Sequence, residues 1–372
     1  MLVLDHFVPH YDQDTGSRTL FQYMQLFLEM GFRVRFAGFD STRYEPYTSE
    51  LERMGVEVLS GDQSALEAWL RENGAEVAYA YVNRPHVAEK YFDLVRRLTQ
   101  AVIVYNAVDL RYLREMRRAE LEQNPALSEQ ALHLKEQELR WFRTSDVTLT
   151  VSEYEKAVLE AEVPGIRAVV VPTFFYNPPF PIGPDIPYEQ RTDLSFVGGF
   201  SHSPNTDGVL WFVQEVLPLI RARLPQIRFN VIGSNPPPVI AALEGDGIHV
   251  TGYVPDEELE RLYGQTRVVV APLRYGAGVK GKIIEAIARG IPIVTTNIGI
   301  EGIPEPAEVI AVANTPEEFA VQVADLYENM ERWQFTRGRQ AEYSSRFLTR
   351  EFAKQVLSQV FVRPHPQRQE AS

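Results

Sequence analysis

Hydrophobic and polar positions follow two rhythms along this chain, and the rhythm switches again and again. Short, mostly apolar runs recur at residues 2–9 (LVLDHFVP), 32–39 (FRVRFAGF), 76–82 (EVAYAYV), 101–110 (AVIVYNAVDL) and 147–151 (VTLTV). They return at 193–199 (DLSFVGG), 227–234 (IRFNVIGS), 267–272 (RVVVAP) and 292–296 (PIVTT). Runs without an alternating polar face are what strands buried on both sides require. Between them lie stretches with apolar residues three and four apart, as at 19–30 (TLFQYMQLFLEM), 63–73, 110–124, 128–142 and 282–288, predicting helices. Strands alternating with helices predict an α/β chain built on parallel sheets. The segment 172–187 (PTFFYNPPFPIGPDIP) breaks the pattern, because six prolines in sixteen positions forbid a helix and exclude a central strand. The expected organisation is therefore an N-terminal domain at 1–175, a stiff linker at 176–190 and a C-terminal domain at 191–340. Two helical pieces close the chain up to residue 362, and a polar tail at 363–372 is expected to be disordered.

One stretch, 271–302 (APLRYGAGVKGKIIEAIARGIPIVTTNIGIEG), carries the clearest chemistry. A buried strand leads into a loop containing Gly276, Gly278 and Gly281, then a helix ended by Gly290, then a second strand. Glycines let a backbone approach a phosphate closely, and a helix N-terminus presents unbonded N–H groups and partial positive charge. Lysine is scarce elsewhere, with only Lys90, Lys135, Lys156 and Lys354 besides the two in this loop, Lys280 and Lys282, which Arg274 precedes. Compact ammonium groups suit a diphosphate approached from several sides. Glu285, one turn into the helix, is placed to accept the hydroxyls of a ribose.

This stretch resembles the donor site of family 4 ("group 1") of the retaining GT-B glycosyltransferases. The similarity continues in order through FVGGF (196–200) with Pro204 and Asn205, FNVIGS (229–234), VTGYVPDEELERLY (250–263), TTNIGIEGI (295–303) and, upstream, VTLTVSEYEKAVL (147–159). The resemblance implies a GT-B fold, two facing Rossmann-like domains with a deep interdomain cleft, and a last helix at 341–362 crossing back to the N-terminal domain. It implies transfer of a sugar from a nucleoside diphosphate sugar to a glycan, lipid-linked or other acceptor, with retention and without a metal or other cofactor. Lys282, Lys280 and Arg274 would then neutralise the leaving diphosphate. Gly199, Asn205, Gly233, Ser234, Ala277, Gly278 and Val279 would line the donor, with Tyr253 and Val254 holding the base through backbone groups.

Three departures stand out. Many family members carry a glutamate eight positions before the ribose-binding one, where this chain has Ala277. A family histidine after the strand at 101–105 is replaced here by Asn106, Ala107, Val108 and Asp109, which leaves Asp109 as the polar group at that exit and a candidate catalytic residue. The arginine and lysine often found in the first turn of the second domain are absent at Gly199 and Asn205, leaving His202, Ser203 and Asn205 as uncharged donors. In the N-terminal half, the first β-α loop (residues 11–17) offers Asp14, Gly16 and Ser17, with Arg18 behind, for the cleft or as a helix cap. Arg84 and His86, past the strand at 76–82, are candidates for the acceptor side, since ligands sit beyond the carboxyl ends of parallel strands.

Composition narrows the partners. A net charge of −13 argues against nucleic acid. With no cysteine there is no thiol chemistry or disulfide, and the seven histidines form no ligand-spaced cluster. No apolar run reaches the roughly 18–20 residues that span a bilayer, and the chain enters a strand at once, so a cytoplasmic location is expected. Arg111, Arg114, Arg117 and Arg118 read first as a solvated helix face paired with Glu115, Glu120 and Glu122. The other reading is contact with an anionic lipid-linked acceptor at the inner face of a membrane. The base, the sugar, the acceptor and the oligomeric state are not legible. Two other functions fit the same pattern: a GT-B nucleotide-sugar epimerase, and a degenerate nucleotide-sugar-binding partner without catalysis. A nicotinamide dehydrogenase does not fit, because the first turn lacks G-x-G-x-x-G.

Overall fold

The structure, a computed structural model, describes residues 1–12, 15–39, 42–176 and 186–362. Asp14, most of the proline-rich linker and the tail at 363–372 lie outside the described residues. The chain divides into two compact units. One gathers residues 1–112, 132–173 and the chain from Ala353 on; the other gathers 113–131 and 174–352.

The first unit is a parallel sheet of seven strands: β1 (Leu2–Leu4), β2 (Arg35–Ala37), β3 (Glu57–Leu59), β4 (Tyr79–Asn83), β5 (Val102–Asn106), β6 (Val147–Thr150) and β7 (Ala168–Val170). Their order is β3-β2-β1-β4-β5-β6-β7, so the direction of winding reverses between β1 and β4. Leu2, Val3 and Leu4 are wholly buried, as the unbroken apolar run demands. The first helix is longer than its periodicity predicts. It runs Thr15–Glu29 instead of starting at Thr19, and so takes Gly16 and Ser17 into its first turn. The extra residues are polar or glycine and so carry no apolar period; within the helix the Thr19 hydroxyl donates to the Thr173 carbonyl at 2.8 Å and the Tyr23 hydroxyl to that of Pro172 at 2.7 Å. The chain end belongs to this unit, where Phe361 packs edge-on against Phe27 and Tyr79.

The second unit repeats the plan with six parallel strands: β8 (Asp193–Val197), β9 (Arg228–Ile232), β10 (Ile248–Gly252), β11 (Thr266–Ala271), β12 (Ile293–Thr295) and β13 (Ala311–Val312). The order β10-β9-β8-β11-β12-β13 places the winding reversal between β8 and β11. Arg191, buried just before β8, fixes the start of the unit by donating to the carbonyls of Ile186, Tyr263 and Thr266. The helix Ser203–Trp211 continues through a single π-type turn, Phe212–Val216, into Leu217–Arg223. Pro218 lacks the N–H that the α-helical ladder needs, and the wider turn just before it absorbs that break.

Candidate active site

In doubly wound sheets, ligands bind beyond the carboxyl ends of the strands where the winding reverses. In the second unit that point lies between the exits of β8 and β11. Gly198 and Gly199 follow β8, and the glycine loop follows β11. A side chain bridges them: the Lys282 ammonium donates to Asn205 Oδ1 at 2.7 Å, and Asn205 Nδ2 donates to the Gly199 carbonyl at 2.6 Å. The ammonium also lies over the Phe196 ring at 5.1 Å. Desolvation by these neighbours, and then the charge of Lys280, lower the Lys282 pKa to about 8. Gly233 comes so close that a Cβ there would sit 2.1 Å from the Gly198 carbonyl oxygen, so Gly233, Ser234, Gly198 and Gly199 form one tight strand-end floor. A Cβ on Gly198 would press on Asn205 and Lys282, each at 2.9 Å.

The remaining loop residues fall into place around this centre. Lys280, 8% exposed, donates to the Gly278 carbonyl at 2.7 Å and lies 3.7 Å from Glu301. Gly276 and Gly278 are buried, whereas Ala277 and Val279 are half-buried. Gly278, at φ +71°, occupies the left-handed region that favours glycine. Glu285, half-buried on the helix Gly281–Ala288, receives a long bond from the Tyr263 hydroxyl at 3.4 Å and lies 3.7 Å from Arg289. Crowding of the His202 ring, then the charges of Arg114, Lys282 and Lys280, bring its pKa down to about 4, so this accessible histidine is neutral at physiological pH.

Arg274 and the β10 exit differ from this gathering. The Arg274 guanidinium pairs with Asp207 through both its Nε and its Nη2. Tyr253 is 78% exposed and Val254 half-buried, directly after Gly252, whose carbonyl accepts from the Gly233 amide at 3.1 Å.

Arg117 corrects the sequence reading. It is not part of a solvated face: its guanidinium grips Glu301 at 2.6 and 2.8 Å and donates to the Gly276 carbonyl at 2.6 Å. Arg118, by contrast, pairs with Glu122 four residues on, as the helical spacing predicts. Helical periodicity places Arg117 on a face but says nothing of what that face meets, and Glu301 is far away in sequence. No local signal could have joined them.

In the first unit the winding reverses between β1 and β4, and the polar groups there form a network. Asp5, 2% exposed, accepts from Asn83 Nδ2 at 2.7 Å, Arg84 Nε at 3.0 Å and the His6 backbone amide at 2.7 Å, and pairs with His6 Nδ1 at 2.8 Å. Asn106 Nδ2 donates to the Tyr81 hydroxyl and to Asn83 Oδ1. Arg84 holds a left-handed φ of 75°, pinned by its amide bond to the Asn106 carbonyl at 2.7 Å. His86 is exposed, 5.4 Å from the His6 ring, and its pKa is lowered by desolvation and by His6. Asp109 is half-buried three positions past Asn106, Gly16 and Ser17 lie in the first helical turn, and Ser17 is buried. Sequence reasoning passed over Asp5, His6 and Asn83. The available signal was a carboxylate closing an otherwise apolar strand, which a buried sheet tolerates only when it is hydrogen-bonded.

Residues 191–329 match the family described as Glycosyl transferases group 1. A stretch of 149 residues is 27% identical to a Klebsiella pneumoniae protein described as an uncharacterized 44.6 kDa protein in the cps region, covering 38% of this chain and 38% of that one. Among solved structures, sucrose-phosphate synthase from Thermosynechococcus elongatus superposes with a TM-score of 0.69 at 15% identity, over 96% of this chain and 97% of that one. Anabaena HepE in complex with UDP-glucose gives 0.63 at 15% identity, over 96% and 98%. Residues 191–329, all in the second unit, thus match a group 1 glycosyltransferase model, and the two-unit α/β architecture is of the GT-B type. No helix among the described residues is long and apolar enough to cross a membrane.

Proposed function

We propose that this chain transfers a sugar, with retention and without a metal, from a nucleoside diphosphate sugar to a glycan or lipid-linked acceptor. The observation that carries this reading is the Lys282–Asn205–Gly199 bridge at the winding reversal of the second sheet, with Glu285 one helical turn away. Negative charge grows on the diphosphate as the glycosidic bond breaks. The Lys282 ammonium and the first amides of the helix Gly281–Ala288 are positioned to stabilise that charge. Glu285 accepts the ribose hydroxyls. With alanine at position 277, no carboxylate from that position contacts the donor sugar. The leaving phosphate oxygen takes the acceptor proton on the same face, which gives retention without a protein base. Asp109, Arg84 and His86, with Asp5 and His6 behind them, supply the acceptor-side polar groups. Two similar structures support a uridine nucleotide: HepE was solved with UDP-glucose, and the pneumococcal O-GlcNAc transferase GtfA with UDP and GlcNAc.

The test is turnover of UDP-glucose, UDP-N-acetylglucosamine, GDP-mannose and ADP-glucose in EDTA, with a mixture of simple saccharides as acceptors. The reading expects one donor to release its diphosphate and to give a product of unchanged anomeric configuration by NMR. An inverted product, or a stable sugar–protein adduct, overturns the retaining same-face route. Conversion of the donor sugar without any acceptor points instead to an epimerase.

A further inference from the structure

Arg117 has no assigned role in the reaction, yet its guanidinium is tied into the glycine loop. It holds both Glu301 oxygens and the Gly276 carbonyl. Glu301 in turn lies 3.7 Å from Lys280, which donates to the Gly278 carbonyl. The arginine, the carboxylate and the lysine are all at least four-fifths buried. Two alternate carbonyls of the loop are thus drawn toward one cationic cluster, and the pattern of burial follows, with Gly276 and Gly278 inside and Ala277 and Val279 half-exposed.

The peptide plane supplies the consequence. In a trans peptide the C=O of one residue and the N–H of the next point in opposite directions. Among the described residues the only cis bond is Glu45–Pro46. Turning the Gly276 and Gly278 carbonyls toward Arg117 and Lys280 therefore turns the Ala277 and Val279 amides the other way. Neither amide meets an acceptor within the described chain. The two N–H groups are thereby left to meet an anion beside the N-terminus of the helix Gly281–Ala288.

We propose that Arg117 and Glu301 form a latch that sets the orientation of the Ala277 and Val279 amides, making Arg117 a positioning residue for the diphosphate of the donor. The inference rests on the donor reading above and adds to it a residue, from outside the loop, that prepares the site before the ligand arrives. Lys280 then belongs to the latch more than to the ligand, and the diphosphate meets backbone N–H groups and Lys282.

The test uses the full chain, with Arg117→Lys and Glu301→Gln. Lysine keeps the charge of Arg117 but cannot hold a carboxylate in two places and a carbonyl at once. The probe is whichever of UDP, GDP, dTDP and ADP binds wild type most tightly in EDTA, measured beside its parent nucleoside by ligand-observed NMR. The latch predicts that each variant still folds, with a lowered melting temperature where a buried charge loses its partner, loses about tenfold or more in diphosphate affinity, and keeps nucleoside affinity within about twofold, since the binding loss falls on phosphate recognition alone. Unchanged diphosphate affinity, or an equal loss for diphosphate and nucleoside, overturns the latch while leaving the donor reading intact. If wild type binds none of the four diphosphates, the donor reading fails and takes the latch with it.

Discussion

At the scale of single residues, Lys282 has the most demanding position. An ammonium pressed between Asn205, Phe196 and the neighbouring charge of Lys280 is held near a pKa of 8, so close to neutrality a modest rise in pH discharges it. A bound diphosphate favours the charged form, so binding takes up a proton once the free lysine has lost it. Diphosphate affinity is expected to be flat below about pH 7.5 and to fall by up to tenfold per unit above about pH 8; calorimetric titrations from pH 6 to 9.5 check this. Lys282→Arg should flatten the profile. The same shift acts on stability with a defined sign. The folded pKa lies below the unfolded value of 10.5, so the charged lysine opposes folding most below about pH 8, and that cost fades as pH rises toward 10.5. Lys282→Ala is expected to lower turnover by about 10²–10³, the range seen when one preorganised donor to a developing anion is removed. Glu285→Ala should weaken a ribonucleoside diphosphate by roughly 10–100-fold, the worth of charge-assisted bonds to two hydroxyls, measured against the 2′-deoxy analogue, which should lose less. Legibility at this scale followed sequence distance. Gly199 and Asn205 came from the family resemblance and Lys282 and Glu285 from the glycine loop, all of them close in sequence to a strand exit. The partners of Arg274 and Arg117 depend on contacts with Asp207 and Glu301 that no spacing encodes.

At the scale of elements, the interior strands were the legible ones, because a strand buried on both faces leaves no choice of residue type, whereas the edge strands β3, β7, β10 and β13 are only partly buried. The runs around Val3, Val104, Val231 and Val269 are all fully buried. Helix ends were less so. The first helix starts at Thr15, four residues before its apolar period, because Thr15, Gly16, Ser17 and Arg18 of its first turn carry no hydrophobic signal. Where capping is complete, its contribution can be tested. Thr315 accepts from the Glu318 amide, and Glu318 reaches back to the Thr315 amide, a capping box for the helix Pro316–Glu328. Thr315→Ala should cost about 1 kcal/mol of stability without touching nucleotide binding, as a thermal melt with and without ligand will show. Gly233→Ala should do more, because its methyl would lie 2.1 Å from the backbone oxygen of Gly198, so that one strand exit must move. A loss of about 1–3 kcal/mol together with weaker diphosphate binding is expected, since the displaced strand end carries Gly199.

At the scale of the whole molecule, one plan is used twice. Both sheets are parallel, and both reverse their winding next to their first strand. Each concentrates its polar side chains at that reversal: Asp5, Asn83 and Arg84 in one unit, Asn205, Lys280 and Lys282 in the other. The acidic network is built for rigidity as well as chemistry. Asp5→Ala would leave the half-buried Arg84 without its carboxylate and should cost about 3 kcal/mol, read as a lowered melting temperature. The chain as a whole carries −13, so an anionic donor is attracted by the local cations of one loop and not by the overall field. That contrast makes binding of the bare diphosphate the sharpest probe of the account. The decisive measurement is calorimetric titration of UDP, GDP, dTDP and ADP into wild type and Lys282→Ala, all in EDTA. The account predicts that one nucleotide binds wild type without metal and that the variant loses at least about tenfold in affinity while remaining folded. Binding that appears only when magnesium is restored, equal binding by the variant, or no binding by wild type would contradict it.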